Sequence, residues 1–223
     1  MKKYFKLLIG LIVILAFIVW TILVKTVDVR EIGHTTVGLS HMNETFMNLL
    51  HFNETLFKIT DYLMFSVIGA AVVFAGIGVY QWIKRKSIKL VDKEIFILGI
   101  SYVIVIALYF LFDKAIVINN RPVLIDGVDE PSYPSSHTMT ALFVFLSAIP
   151  MVNYLLKDKK VARIIINACL IVLSVFTVGG RILSGAHWMS DIVGGVLVAI
   201  GLLYVFLFFI ERVQTVKEVK TEE

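Results

Sequence analysis

The chain is poor in cysteine, proline and charge: its 223 residues include one Cys and four Pro, and Asp, Glu, Lys and Arg make up 17%. The single cysteine, Cys169, excludes an internal disulfide and sits inside an apolar run as a packing residue. Three of the four prolines, Pro122, Pro131 and Pro134, fall in one segment, which marks it as an irregular loop. There is no HExxH, no Cys/His cluster and no carboxylate set with ligand spacing, so nothing in the chain argues for a bound metal. Nothing resembles a nucleic-acid-binding module either, so the net charge of +4 and pI near 9.1 need another explanation.

What the chain has in abundance is apolar length. A mean hydropathy of +0.87 with 58% hydrophobic residues does not fit an ordinary soluble domain. Runs of about twenty apolar residues are long enough to span a bilayer. Six such helices are predicted, at roughly 4–24, 61–83, 95–112, 138–156, 162–179 and 189–210. The first follows Lys2, Lys3 and Lys6, but its apolar stretch exceeds the ~7–15 residues of a signal peptide and no small-x-small site follows, so it reads as an uncleaved anchor. The expected fold class is all-α: residues 1–223 as one integral-membrane domain, a six-transmembrane helix bundle with a tail at 211–223.

Basic residues set the expected orientation, because Lys and Arg are retained on the cytoplasmic side. One side carries fifteen: Lys2, Lys3 and Lys6; Lys84, Arg85, Lys86, Lys89 and Lys93; Lys157, Lys159, Lys160 and Arg163; Arg212, Lys217 and Lys220. The other carries six: Lys25, Arg30, Lys58, Lys114, Arg121 and Arg181. Both termini are therefore expected in the cytoplasm of a cell-membrane protein. The basic loops account for the positive charge by meeting anionic headgroups of the bilayer.

Between the first two helices, Leu39, Met42, Phe46, Leu49, Leu50, Leu56 and Phe57 recur at helical spacing. They predict an amphipathic helix over 39–58 in the outer interface, as a lid or lipid ramp or simply as cover for that face. The local similarity of 41–45 to 51–55 is too short for a structural repeat. The loop bearing three prolines cannot lie in lipid and should form a folded extracytoplasmic cap, with turns at Asp126-Gly127 and Asp129-Glu130. Pro150 is expected to kink the fourth helix. Trp20, Trp82 and Trp188 are expected as interfacial anchors, and Gly194-Gly195 as a site of close helix packing.

Three polar segments interrupt this background. Lys114 precedes Arg121-Pro122 by six intervening residues; Pro134-Ser135-Ser136-His137 follows; then come Arg181, His187 after five residues and Asp191 after three more. They supply three cations, two imidazoles, a carboxylate and hydroxyls, the groups needed to hold a phosphoryl group and break a P–O bond. The set resembles the phosphatidic acid phosphatase type 2 superfamily, whose pattern is K-x6-R-P, P-S-G-H and S-R-x5-H-x3-D. Two positions depart from it: Ser136 stands where the pattern has Gly, and Gly180 where it has Ser.

The alternation of helices carries all three segments to one side of the membrane. There His187 is the candidate nucleophile, because a neutral imidazole can attack phosphorus and form a phosphohistidine. Asp191, four residues on, shares its helical face and can hold the ring tautomer. His137 is the candidate general acid, and Lys114, Arg121 and Arg181 the candidate charge clamps. Ser135 would donate a hydroxyl and Ser136 a backbone N–H. No cofactor is called for, and the resemblance implies a metal-independent phosphatase. The expected substrate is a membrane lipid phosphate: undecaprenyl diphosphate, phosphatidylglycerophosphate or phosphatidic acid. Two alternatives share the pocket, a vanadate-dependent haloperoxidase and a non-enzymatic lipid-phosphate carrier; six spans argue against the first.

Overall fold

A computed structural model of the protein describes the backbone of residues 4–222 and the side chains of residues 4–215. Lys2, Lys3 and Glu223, and the side chains of Lys217 and Lys220, lie outside the described residues. The fold is a helix bundle: α1 (Phe5–Thr26), α2 (Ser40–Leu49), α3 (Glu54–Tyr62), α4 (Met64–Arg85), α5 (Lys93–Phe110), α6 (Ser136–Leu155), α7 (Lys160–Leu183) and α8 (Met189–Glu222). Six helical stretches are long and apolar enough to cross a membrane, α3 and α4 counting as one. The chain is thus a multi-pass membrane protein.

Burial separates the centre of the bundle from its lipid-facing ring. Half or more of the apolar windows of α6 and α8 is buried, against a quarter or less in the other four. The core gathers around them: Met139, Phe143, Phe145 and Met151 of α6 meet Ala199, Leu203, Phe206 and Ile210 of α8. Ile and Val on the outward faces of α1, α4, α5 and α7 stay exposed in the isolated chain, as a bilayer requires. Tyr133 fills the space left by Gly194, where a Cβ would sit 2.8 Å from its ring, and Gly195 brings α8 against Ser135 and Thr138 at the start of α6. This glycine pair therefore sets how closely the ends carrying the polar motifs approach.

Several boundaries differ from the sequence expectation. The amphipathic helix predicted over 39–58 is two helices, α2 and α3, separated at residues 50–53 because Asn53 caps α3: its side-chain oxygen accepts the Leu56 N–H at 3.0 Å. The face that α2 buries is polar, Ser40 and Asn43, while Phe46 and Leu49 point outward. Asn43 bonds Gly38 O and both the Oγ and N–H of Ser190, so α2 is fastened to the first turn of α8. Residues 30–32 and 35–37 pair as a short antiparallel hairpin that the sequence reading did not anticipate.

The helices of the motif region also extend further than expected. The fifth reaches Leu183, placing Arg181 in its last turn rather than in a loop, and the sixth continues through the supposed tail to Glu222. Helix α6 runs unbroken through Pro150. The proline-bearing loop folds back on itself, with Asp126 and Gly127 at positive φ in its turn and bridges joining Ile125 to Val128 and Asn120 to Pro131. Asp129 and Glu130 lie on the returning arm rather than in a turn of their own. Trp188 is a buried pillar, 2% exposed, whose indole N–H donates to Asn120 O at 2.8 Å; it is not an interfacial anchor.

Candidate active site

The polar site sits where the start of α6, the end of α7 and the approach to α8 meet the returning arm of the loop. Its centre is a chain of contacts. Arg121 Nη1 donates to His187 Nε2 at 3.1 Å, and His187 Nδ1 lies 3.0 Å from Ser132 Oγ. Ser132 in turn donates to Asp191 Oδ2. A guanidinium has no acceptor, so His187 Nε2 must carry the lone pair and Nδ1 the proton. The direction of the relay is then fixed: His187 Nδ1–H donates to Ser132, and the Ser132 hydroxyl donates to Asp191.

This geometry alters the expected role of Asp191. Its Oδ2 is 3.6 Å from His187 Nδ1, too far for a direct hydrogen bond, and the Ser132 hydroxyl bridges the gap. Asp191 is fully buried and also accepts from the Trp188 N–H at 3.0 Å and Asn119 Nδ2 at 3.1 Å. Burial, with Arg121, Arg181 and His137 nearby, holds the His187 imidazole well below the ordinary histidine range. Neutral His187 presents an unprotonated Nε2, the form that can act as a nucleophile.

Two arginines and a second histidine complete the cluster. Arg121 is buried, with Nε donating to Glu130 Oε2 at 3.0 Å. Arg181 is 0% exposed, and its Nη2 donates to Asp61 Oδ1 at 3.0 Å. The same Asp61 oxygen accepts from His137 Nε2 at 2.9 Å. Phe57 of α3 stacks beneath both guanidiniums, 4.9 Å from Arg181 and 5.8 Å from Arg121. Ser135 caps α6 by accepting the Thr138 N–H at 3.4 Å, and its own N–H donates to Asp191 O. Ser136 opens α6 and is not among the residues with positive φ, so a residue other than glycine stands there without backbone strain.

The structure thus brings together Arg121, His137, Arg181, His187 and Asp191, with Ser135 and Ser136 at the adjoining helix start. Lys114 stands apart: it lies in a π-helical turn after α5, its side chain is 75% exposed, and its Nζ pairs with Asp113 at 2.9 Å. The acidic loop residues are engaged within the fold, Glu130 with Arg121 and Asp129 with Asn120 and His34. Sequence reasoning missed Ser132, Asn119, Phe57 and Asp61. Asp61 alone carried a signal, an ionisable residue opening an otherwise apolar span. Ser132 obeys no motif spacing; the loop fold puts it there.

Comparison with known proteins agrees with this architecture. The PAP2 superfamily model matches residues 88–214. The chain belongs to the PAP2 superfamily. Its fold is similar to the crystal structure of a transmembrane PAP2 type phosphatidylglycerolphosphate phosphatase from Bacillus subtilis, with a TM-score of 0.60 and 18% identity over 91% of this chain and 96% of that one. No curated protein sequence gives a match.

Proposed function

We propose that this protein is a single-domain lipid phosphatase that hydrolyses a phosphomonoester or diphosphate through a phosphohistidine on His187. The observation that carries the reading is the pair of contacts on the His187 ring: Arg121 Nη1 at Nε2 and the Ser132–Asp191 relay at Nδ1, which together put the lone pair on Nε2, beside Arg121. In the first step Nε2 attacks the terminal phosphorus and the P–O bond to its bridging oxygen breaks, the leaving group being the lipid alcohol of a monoester or the lipid monophosphate of a diphosphate. His137 Nε2–H gives its proton to the leaving oxygen. Water then attacks the phosphohistidine, surrendering a proton to His137, and inorganic phosphate leaves. Arg121 and Arg181 take up the charge on the phosphoryl oxygens, the backbone N–H groups at the start of α6 add donors, and Lys114 draws the anionic headgroup toward the rim.

The substrate reading follows from the membrane context: acyl or prenyl tails remain in the bilayer while the headgroup enters. Phosphatidylglycerophosphate, phosphatidic acid and undecaprenyl diphosphate all satisfy it. Purified protein in detergent with chelator should release phosphate from at least one of these, and His187→Ala should release none while remaining folded. Wild-type-like turnover by that variant would remove His187 from the mechanism. The site is assigned to the extracytoplasmic side on the division of basic residues. A cysteine at Asp129, in a Cys169→Ser background, should react with an impermeant thiol reagent in intact cells; labelling only after lysis would invert the orientation.

A further inference from the structure

Asp61 belongs to none of the three motifs, yet one of its oxygens holds two donors that the proposed reaction assigns to the substrate. Oδ1 accepts from His137 Nε2 at 2.9 Å and from Arg181 Nη2 at 3.0 Å. The remaining Arg181 donors, Nε and Nη1, are buried with no partner. Both two-pronged edges of a guanidinium, Nε with Nη2 and Nη1 with Nη2, include Nη2. Each edge uses a different Nη2 hydrogen, so Asp61 closes one of the two, and a phosphoryl group cannot take Arg181 in bidentate fashion there while that bond lasts. Nor can a leaving oxygen receive the His137 proton while Asp61 accepts that N–H.

The element carrying Asp61 is a short helix that leads into a membrane-spanning one. Helix α3 runs Glu54–Tyr62, joined to α4 through Leu63 and to α2 through residues 50–53. Its seat on α7 is formed by Thr60, fully buried against Gly180, where an added Cβ would overlap Thr60 Cγ2. Asn53 ties the preceding loop to the end of α7 by donating its N–H to Ser184 O at 2.9 Å. The Asp61 side chain is itself 53% exposed, so water reaches the carboxylate that closes the buried arginine.

We propose that Asp61 is an internal surrogate for the substrate phosphate and that α3 is the latch carrying it, an inference that rests on the phosphatase reading above. In the closed state the Asp61 carboxylate occupies the anion site, and a phosphoryl group binds by displacing it. A site free only part of the time binds its ligand with an apparent affinity lowered by that fraction. The latch therefore sets the threshold for binding, and it favours dianionic phosphate over weaker anions that cannot displace a carboxylate.

The test compares wild type with Asp61→Asn, which keeps the shape and removes the charge, and with Gly180→Ser, which crowds Thr60 and loosens the same seat without touching a donor. On a lipid phosphate the protein turns over, both variants should lower KM and the inhibition constant of inorganic phosphate by about tenfold, an apparent gain of about 1.4 kcal/mol, with kcat within about threefold of wild type. Loss of kcat at unchanged KM and inhibition constant in Asp61→Asn would make Asp61 a positioning residue for His137 and overturn the latch. Unchanged values of all three would overturn it as well. A wild type that turns over no lipid phosphate would refute the phosphatase reading instead. Calorimetric titration of inorganic phosphate into both proteins would then still decide the latch: tighter binding by Asp61→Asn supports it, and equal or weaker binding overturns it.

Discussion

Replacing Ser132 by alanine removes the one hydroxyl that links the candidate nucleophile to its carboxylate. His187 Nδ1 and Asp191 Oδ2 stand 3.6 Å apart, so without the hydroxyl they have no direct hydrogen bond. Asp191 keeps its bonds from Trp188 and Asn119, and the fold around it should survive. His187 loses the acceptor that fixes its proton on Nδ1 and that stabilises the positive charge developing as Nε2 attacks. A hydrogen bond to a charged group contributes about 1.5–3 kcal/mol, and each ~1.4 kcal/mol of transition-state stabilisation is about tenfold in rate. Ser132→Ala should therefore lower kcat/KM by about tenfold to about 150-fold, short of the complete loss expected for His187→Ala. Ser132→Thr, which restores a hydroxyl, should recover part of it. The assay is phosphate release from one lipid phosphate in detergent, with thermal stability measured in parallel. Unchanged kcat/KM in Ser132→Ala would refute the relay and return Asp191 to a role independent of the hydroxyl.

Other outcomes follow from the same geometry. Arg181→Ala should reduce kcat/KM by about a hundredfold or more, the scale for removing a donor aimed at developing charge, whereas Lys114→Ala, exposed and paired with Asp113, should cost less than about tenfold; equal losses would draw Lys114 into the cluster. Ser136→Gly should change kcat/KM by less than about tenfold, because the position offers only a backbone N–H, and Ser135→Ala should hurt more, since it also removes the cap of α6; a larger loss at Ser136 would mean that its side chain serves the pocket. Because burial and the neighbouring cations depress the His187 imidazole below its ordinary 6.5, folding disfavours its protonation, and stability should fall as pH drops through and below 6.5. Thermal denaturation of His187→Asn should show a shallower acid loss than wild type, and identical slopes would contradict the assignment.

The bundle was legible because bilayer thickness imposes a length that composition alone reveals; all six predicted helices are present, with ends displaced by a few residues or more. The motif spacing placed five of the eight candidate residues in one cluster and two more at its edge. What the sequence concealed lies where contacts between distant segments decide the outcome. Residues 39–58 carry one apolar periodicity, yet the chain breaks them because Asn53 caps a new helix. Asn43 and Asn53 occupy the same place in two similar pentapeptides, and one is buried against Ser190 while the other caps α3. Local sequence could not separate these fates; the start of α8 and the end of α7 do.

The two departures from the family pattern have separate physical readings. Ser136 needs no compensation, since the first residue of α6 has ordinary backbone geometry and a side chain is tolerated there. Gly180 is coupled to its surroundings. A serine in its place would put a Cβ into Thr60, and Thr60 precedes the residue that bridges His137 and Arg181. The missing side chain on α7 therefore permits the close seat of α3, and that seat delivers the Asp61 carboxylate to the buried arginine. Read in one dimension, Gly180 is a lost hydroxyl; in the folded chain it makes room for an acidic residue from another helix. The departure thus points away from a decayed site and toward one whose access this chain governs through α3.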